Sequence, residues 1–412
     1  MQAAPAVARQ KDGPVLSLVA AGHFLSHFYM MLLPPLFVLL KVEYGVSYLA
    51  LGLLMTLYNG VAGAAQIPVG FLVDRVGARP VLVGGLALLA AGMGLVGFSP
   101  SYGVTVALVV AAGAGHSVFH PANYAILSAA ITPAYMGRAF SIHTFAGHLG
   151  SAAGPASVGL LTALWGWRTG LVALGALGLL VTLALLANWN LLRDPIAERK
   201  LERKLEREKP AAGEPDAPGQ TDWALLLSRP MVLFFLFFAA GSLTSGAVQS
   251  FSIAALIDLR GFALPQASTA LTFYLATSAA GILLGGVIAD LTQRHNLVAG
   301  TAFLVSGLCL AVIGAFLLPL AAVYLAMAMA GLCQGLVRPA RDMMVRAAAP
   351  KGSTGKVFGF VSTGIMLGGA IAPVLYGWVV DLGSPEWVFY LAAIVTVGGA
   401  LTVAAHRQKP AA

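Results

Sequence analysis

Histidines inside apolar segments are the first residues of this 412-residue chain whose type and spacing suit proton chemistry. Six of the eight histidines lie in apolar runs of the first half of the chain: His23, His27, His116, His120, His143 and His148. The pairs His23/His27 and His116/His120 each have four-residue spacing, which places both members on one face of a helix. Imidazole takes up and releases protons near neutral pH. A single buried histidine is more often a hydrogen-bonded packing residue, so the prediction that His23, His27, His116 and His120 relay protons rests on the cluster.

Three charged residues, Arg338, Arg341 and Asp342, form a second group within one apolar run of the second half. Charges at membrane depth are costly, so those that remain are functional candidates. The four-residue spacing of Arg338 and Asp342 places them on one helical face, where they can pair. Two interpretations are open: the three charges neutralise one another, or at least one arginine binds an anionic group of a ligand. We favour the second, and we count Asp342 among the groups that can carry a coupling proton.

The elements that would position these residues are membrane-spanning helices. The chain is 58% apolar and only 10% charged, which excludes an ordinary soluble globular protein. Apolar runs long enough to cross a ~30 Å hydrocarbon core recur along nearly the whole chain. The predicted spans are at about 14–40, 47–73, 79–98, 102–130, 137–163, 167–190, 231–257, 267–290, 297–319, 321–347, 355–381 and 386–406. We therefore predict an all-α membrane protein with twelve transmembrane helices.

Charge, cysteine content and the first apolar run exclude other classes. The net charge of +8 comes from lysines and arginines in short loops, which indicates membrane orientation rather than a nucleic-acid surface. Cys309 and Cys333 fall inside apolar runs, so no disulfide framework is implied. The first run is too long for a signal-peptide core, and we interpret it as a retained span.

An internal repeat divides the chain into two similar halves. The stretch 113–159 recurs without a gap 218 residues later, where Pro121 aligns with Pro339 and His120 aligns with Arg338. Because glycines and prolines agree while polar residues differ, two copies of one scaffold are expected to enclose one asymmetric site. Six spans per half make the two copies parallel. We predict an N-terminal half at 1–190, a cytoplasmic linker with a charged surface helix at 191–229, and a C-terminal half at 230–412.

The distribution of basic residues predicts the orientation in the membrane. With both termini in the cytoplasm, 19 of the 24 lysines and arginines lie on that side. Lys41, Arg168 and Arg260 lie on the other side, and Arg338 and Arg341 lie within a span. An excess of basic residues in cytoplasmic loops is the usual rule, so we predict cytoplasmic termini.

The loop after the second span, GFLVDRVGARP at 70–80, carries a family resemblance. It resembles the signature of the major facilitator superfamily, and a weaker copy, GVIADLTQR, lies at the matching loop of the second half. The resemblance covers essentially the whole chain and implies the major facilitator fold. Because charged groups at helix ends can hold one face shut, the signature predicts a set of gating residues. These are Gly70, Asp74, Arg75, Arg79, Asp290 and Arg294. An alternative is that Arg75 and Arg79 only enforce topology.

Within that superfamily, GAGHSVFHP followed by a glycine-studded fifth span resembles the fosmidomycin-resistance-type branch. One departure is Val109, which stands where related proton-coupled drug antiporters carry an arginine, so their proton path cannot be carried over intact. The resemblance implies that the first, fourth, seventh and tenth spans line the cavity. On that basis the predicted substrate-binding residues are His27, His120, Asn123, Tyr124, Gln249, Arg338 and Arg341.

The predicted function is secondary active transport by alternating access. The expected substrate is a small organic anion, and the expected coupling is to protons because the chain has no GxxxxGK[ST] nucleotide motif. Export is favoured, and proton-coupled uptake of an organic anion such as a carboxylate is the alternative. A remote alternative is an intramembrane metalloenzyme built on the histidine pairs, and a further class is a membrane sensor. We expect no enzyme activity, no metal, no cofactor and no nucleic-acid partner, and a monomer in the bacterial cytoplasmic (inner) membrane.

Overall fold

Helices make up nearly all of the part of the chain that the structure describes. The computed structural model describes residues 6–132, 135–192, 223–349 and 354–404, and no strand occurs among them. The helices of this part are α1 (Ala6–Met30), α2 (Phe37–Tyr44), α3 (Tyr48–Val76), α4 (Ala78–Leu95), α5 (Tyr102–His116), α6 (Phe119–Ala130), α7 (Met136–Trp165), α8 (Trp167–Ala187), α9 (Trp223–Leu226), α10 (Arg229–Arg260), α11 (Leu264–Leu291), α12 (His295–Ala315), α13 (Leu320–Ala348), α14 (Thr354–Asp381) and α15 (Trp387–Ala404). The charged surface helix expected within 191–229 lies almost wholly outside the described residues.

The helices confirm the predicted membrane spans. Eleven segments of the described chain are long and apolar enough to cross a membrane, the first combining α1 with α2 and the fourth combining α5 with α6. The remaining predicted span, at 137–163, is α7, whose 30 residues correspond to about 45 Å of helix. Each predicted span therefore matches a helical segment of sufficient length, and the all-α membrane fold is confirmed.

Two spans that the sequence predicts as continuous are interrupted. In the first span, α1 ends at Met30 and a 3-10 turn at Pro34–Leu36 precedes α2. In the fourth, α5 ends at His116 and α6 begins at Phe119. Pro121 has no N–H, and its ring crowds the carbonyl of the residue four positions earlier, which lies in this break. His116 and His120 therefore flank an interruption instead of sharing one unbroken helix, as their spacing suggested.

The packing of the helices repeats between the two halves. In the first half α1 packs on α7, α3 on α5, and α4 on α8. The corresponding contacts in the second half are α10 on α14, α11 on α13, and α12 on α15. Equivalent helices therefore have equivalent partners, which confirms the two six-helix repeats.

Two helix pairs join the halves, α3 with α14 and α7 with α11. The backbones of α3 and α14 approach so closely that a side chain added at Gly52 would overlap the carbonyl of Pro373. At Gly377 an added Cβ would lie 2.5 Å from the carbonyl oxygen of Tyr48. These contacts lie in the first part of α3 and the last part of α14, so the halves close together at that end. The middle parts of the same helices, Met55 to Ile67 of α3 and Ile365 to Pro373 of α14, line a cavity.

Candidate functional site

A cavity of about 790 Å³ lies between the two halves and extends toward the end of α3 that carries the loop 70–80. This volume is within the range of about 300–1,000 Å³ that is typical of small-molecule sites. Helices of both halves contribute, with Met55 and Asn59 from α3 and Gln249, Arg338 and Arg341 from α10 and α13. Much of the remaining wall is apolar, including Met30, Met31, Phe237, Phe238, Ile365 and Met366. The cavity therefore offers a few polar groups in a mostly apolar wall, as ligand sites usually do.

Arg341 is held from two sides. Its Nε donates a hydrogen bond to Oδ1 of Asp342, at 3.0 Å, and its guanidinium carbon lies 3.8 Å from the centre of the Phe238 ring. The side chain of Arg341 is 17% exposed and that of Asp342 is 49% exposed. The ion pair and the cation–π contact together fix the position of Arg341 and offset its charge.

Arg338 has no comparable ion pair or cation–π contact within the described residues. Within the described residues it forms no ion pair and no hydrogen bond, although it lines the cavity and is partly buried. The spacing of the sequence suggested a pair between Arg338 and Asp342, but Asp342 pairs with Arg341 instead. The reason lies in the tertiary packing, because the Phe238 ring of another helix holds the Arg341 guanidinium beside the carboxylate. Arg338 is thus left as a cation that a ligand can neutralise.

Six histidine rings form one cluster in the first half. The rings of His23 and His143 stack at 3.8 Å between centroids, with 13° between their planes. The centroid of His23 lies 4.7 Å from that of His27 and 5.4 Å from that of His120. From His27 the cluster continues to His116 at 5.9 Å and to His148 at 6.5 Å. The four histidines predicted to relay protons are therefore neighbours, and two more belong to the same cluster.

The side chains that hydrogen-bond to the histidine cluster within the described chain are neutral. The Tyr58 hydroxyl lies 3.0 Å from Nδ1 of His116, and the Asn123 amide nitrogen lies 3.0 Å from Nε2 of His143. The Nδ1 atoms of His23 and His143 are buried without a hydrogen-bond partner. No ion pair between a carboxylate and these rings occurs in the part of the chain that is described. Protons that enter this cluster would therefore be shared among imidazoles, because no fixed negative charge holds them in place.

The structure separates the predicted substrate-binding residues into two places. Gln249, Arg338 and Arg341 line the cavity. The other four lie with the histidine cluster and outside the set that lines the cavity: His27, His120, Asn123 and Tyr124. Asn123 is fully buried, whereas the Tyr124 side chain is 43% exposed. Sequence reasoning did not assign a role to Phe238, whose signal is only an aromatic residue on a cavity-lining span.

Among the residues described, no group of three or more His, Cys, Asp or Glu side chains is arranged to hold a metal ion.

Comparison with known proteins decides the family. The sequence matches the Major Facilitator Superfamily over residues 19–267 and 242–412. The chain belongs to the Major Facilitator Superfamily. Membership in this superfamily makes it a membrane transporter and not an enzyme, and the predicted resemblance of the chain to the superfamily is confirmed.

Similarity to individual relatives extends over nearly the full length of this chain. The fosmidomycin resistance protein of Escherichia coli K12 is 24% identical over 401 residues, covering 94% of this chain and 92% of that protein. The probable sulfoacetate transporter SauU of Cupriavidus necator is 25% identical, with 94% and 92% covered. A solved bacterial homologue of the human lysosomal transporter Spinster, inward-facing and occupied, aligns with a TM-score of 0.77 at 15% identity, covering 97% of this chain and 99% of that one. This last likeness shows the shared fold.

The superfamily signature lies at the end of α3 beside the open part of the cavity. Gly77 has a φ of 103°, a conformation that favours glycine, and it lets α3 turn directly into α4. Asp74 and Arg75 are exposed and Arg79 is partly buried, and none of them forms an ion pair within the described chain. Gly70 lies on the same end of α3, and Asp290 and Arg294 are exposed at the matching end of α11. The gating role of these six residues remains a prediction.

Proposed function

We propose that this chain is a secondary transporter that exports a small organic anion through the bacterial cytoplasmic membrane in exchange for protons. The observation that carries the proposal is Arg338, a cation without an ion-pair partner in the described chain, in a cavity lined by both halves. The two halves rock about this cavity and expose it alternately to each side.

Electrostatics favours an anionic substrate. An arginine at membrane depth is costly unless its charge is compensated, and within the described residues Arg338 forms no ion pair with a carboxylate. A bound anion would supply the missing charge and accept charge-assisted hydrogen bonds from the guanidinium. Gln249 and Asn59 line the same cavity and have amide N–H groups that can complete the coordination of an oxyanion.

The histidine cluster is the proposed proton carrier, through His23, His27, His116 and His120. It lies on α1, α5, α6 and α7, helices of the half that does not carry Arg338. One half therefore binds the anion and the other binds protons, so rocking of the halves can couple the two. Asp342, which lies on the half that carries Arg338, is a second proposed proton-coupling residue.

The direction of transport is proposed from the relatives. The relative named for fosmidomycin resistance favours export. A second candidate function is proton-coupled uptake, which the relative named as a probable sulfoacetate transporter favours and which Arg338 would serve equally well. In both cases we propose a monomer with cytoplasmic termini, and the cavity of this structure then faces the cytoplasm.

Transport in proteoliposomes tests the proposal. Small carboxylates, sulfonates and phosphonates are first screened for thermal stabilisation of the purified protein. An anion that binds is then offered to proteoliposomes under a pH gradient of either polarity. Accumulation driven by an acidic lumen indicates exchange with protons, and accumulation driven by an acidic exterior indicates co-transport. A protein that exchanges labelled for unlabelled anion but accumulates no anion under a gradient of either polarity would show that proton coupling is wrong.

A further inference from the structure

The net charge of the candidate site is smaller than the two arginines in the cavity wall suggest. Among the described residues that line the cavity, Arg338 and Arg341 are the charged ones. Asp342 is not one of the lining residues, but it pairs with Arg341 at 3.0 Å. The three side chains together therefore carry one net positive charge, and that charge is located on Arg338.

Two contacts hold Arg341 in the cavity wall, one with the Phe238 ring and one with the Asp342 carboxylate. The Phe238 ring lies under the guanidinium at 3.8 Å, which fixes the plane of the group independently of the carboxylate. Asp342 uses one side of the guanidinium through Nε and is itself 49% exposed, so it is the accessible member of the pair. Neutralising Asp342 would leave Arg341 in place as a second cation.

The geometry points to Asp342 as the residue that sets the charge selectivity of the site, so that the wild-type cavity accepts singly charged organic anions and disfavours doubly charged ones. This inference rests on the proposed function, because it assumes that an anion binds beside Arg338. A dianion would bring one negative charge more than the site can neutralise, and an unpaired charge in a cavity of low polarity is costly. The apolar wall around Met55, Phe237 and Met366 suits an anion with a hydrocarbon body.

A cycle of four proteins tests the net charge of the site: wild type, Asp342→Asn, Arg341→Gln and the double variant. The three charges then sum to one, two, zero and one positive charge. The probes are hexanoate and adipate, which have the same number of carbons and differ by one carboxylate, with hexanamide as a neutral control. A second pair, hexane-1-sulfonate and hexane-1,6-disulfonate, repeats the comparison with another anionic group. Apparent dissociation constants come from thermal shifts of the full-length protein in detergent.

The wild type is expected to bind the monoanion of each pair more tightly. Asp342→Asn should lower the ratio of the dianion constant to the monoanion constant by about tenfold or more, since a second cation becomes available. Arg341→Gln should weaken both anions, because Asp342 then opposes Arg338. The double variant should return to the wild-type preference, which a direct and necessary contact from Arg341 to substrate would not allow.

Two controls distinguish an effect of charge on binding from a loss of folding. Asp342→Glu keeps the charge and should keep the wild-type ratio, and the melting temperature without ligand reports folding of every variant. An unchanged ratio in Asp342→Asn, or a double variant that binds as weakly as Arg341→Gln, overturns the inference; loss of binding in Arg338→Gln would still uphold the proposed function. If Asp342→Asn does not fold, the comparison of Arg341→Gln with the double variant decides alone. Failure of all four anions to bind the wild type contradicts both the proposed function and the inference.

Discussion

The carboxylate of Asp381, at the end of α14, caps the start of α3 in the other half of the molecule at Tyr48. Its Oδ1 accepts a hydrogen bond from the backbone N–H of Tyr48 at 2.9 Å, and its Oδ2 accepts one from Leu49 at 2.7 Å. The ammonium of Lys41 lies 3.6 Å from the same carboxylate. A negative charge at a helix N-terminus is stabilising, so this contact holds the two halves together at the closed end of the transporter.

Asp381→Asn should loosen the closed end. Hydrogen bonds to a charged group contribute about 1.5–3 kcal/mol, so weakening them shifts the balance toward separated ends by roughly tenfold or more. Spin labels on cysteines introduced at Val42 and Leu382, with Cys309 and Cys333 replaced by alanine, would report the separation. Glu43→Gln is the matched control, because Glu43 pairs with Arg168 at 2.7 Å within one half at the same end. Equal distance distributions in Asp381→Asn and wild type would refute the capping role.

Gly52 is predicted to be intolerant of any side chain. An added Cβ would overlap the carbonyl of Pro373, a backbone group that can move only if α3 and α14 separate. Overpacking of this kind costs about 1–3 kcal/mol, so Gly52→Ala should separate the same pair of labels and lower the melting temperature. Gly84→Ala on α4 is the control, since an added Cβ there meets nothing within 4 Å. A Gly52→Ala protein with wild-type distances and stability would show that the helices do not pack as described.

His23 is predicted to be needed for proton coupling but not for anion exchange. It contacts His27, His120 and His143, so its removal separates the cluster into pieces. His23→Gln should abolish accumulation driven by a pH gradient, while exchange of labelled for unlabelled anion, which needs no net proton movement, continues. His295→Gln is the control, because His295 is equally buried but lies on α12. Gradient-driven accumulation that survives in His23→Gln would exclude the cluster as the proton carrier.

The fold could be predicted from the sequence because its signals are local. Apolar runs of bilayer length and the repeated glycines and prolines predict twelve spans in two halves. The break in the fourth span could not be predicted from proline alone. Pro121 accompanies a break between α5 and α6, whereas its counterpart Pro339 lies inside the continuous α13. The difference depends on how neighbouring helices pack, which no local pattern records.

The candidate site was predictable only in part. Arg338 and Arg341 are conspicuous as charges in an apolar run, and both line the cavity. Their division of roles depends on Phe238, which is about a hundred residues away in the sequence. The stacking of His143 on His23 could not be predicted either, because the contacts of His143 are with residues on other helices. Helical spacing reveals partners on one helix, and the contacts that decide this site join different helices.

Binding of hexanoate to the wild type, Arg338→Gln and Arg346→Gln is the most direct measurement of the central proposal. Arg346 lies on the same helix and is exposed, so its variant controls for loss of a positive charge from α13. If Arg338 binds the anion, the apparent dissociation constant should rise by about tenfold or more in Arg338→Gln, as expected for a lost charge-assisted hydrogen bond, and remain unchanged in Arg346→Gln. Equal affinity in the wild type and Arg338→Gln would contradict the proposal that this cation forms the substrate site.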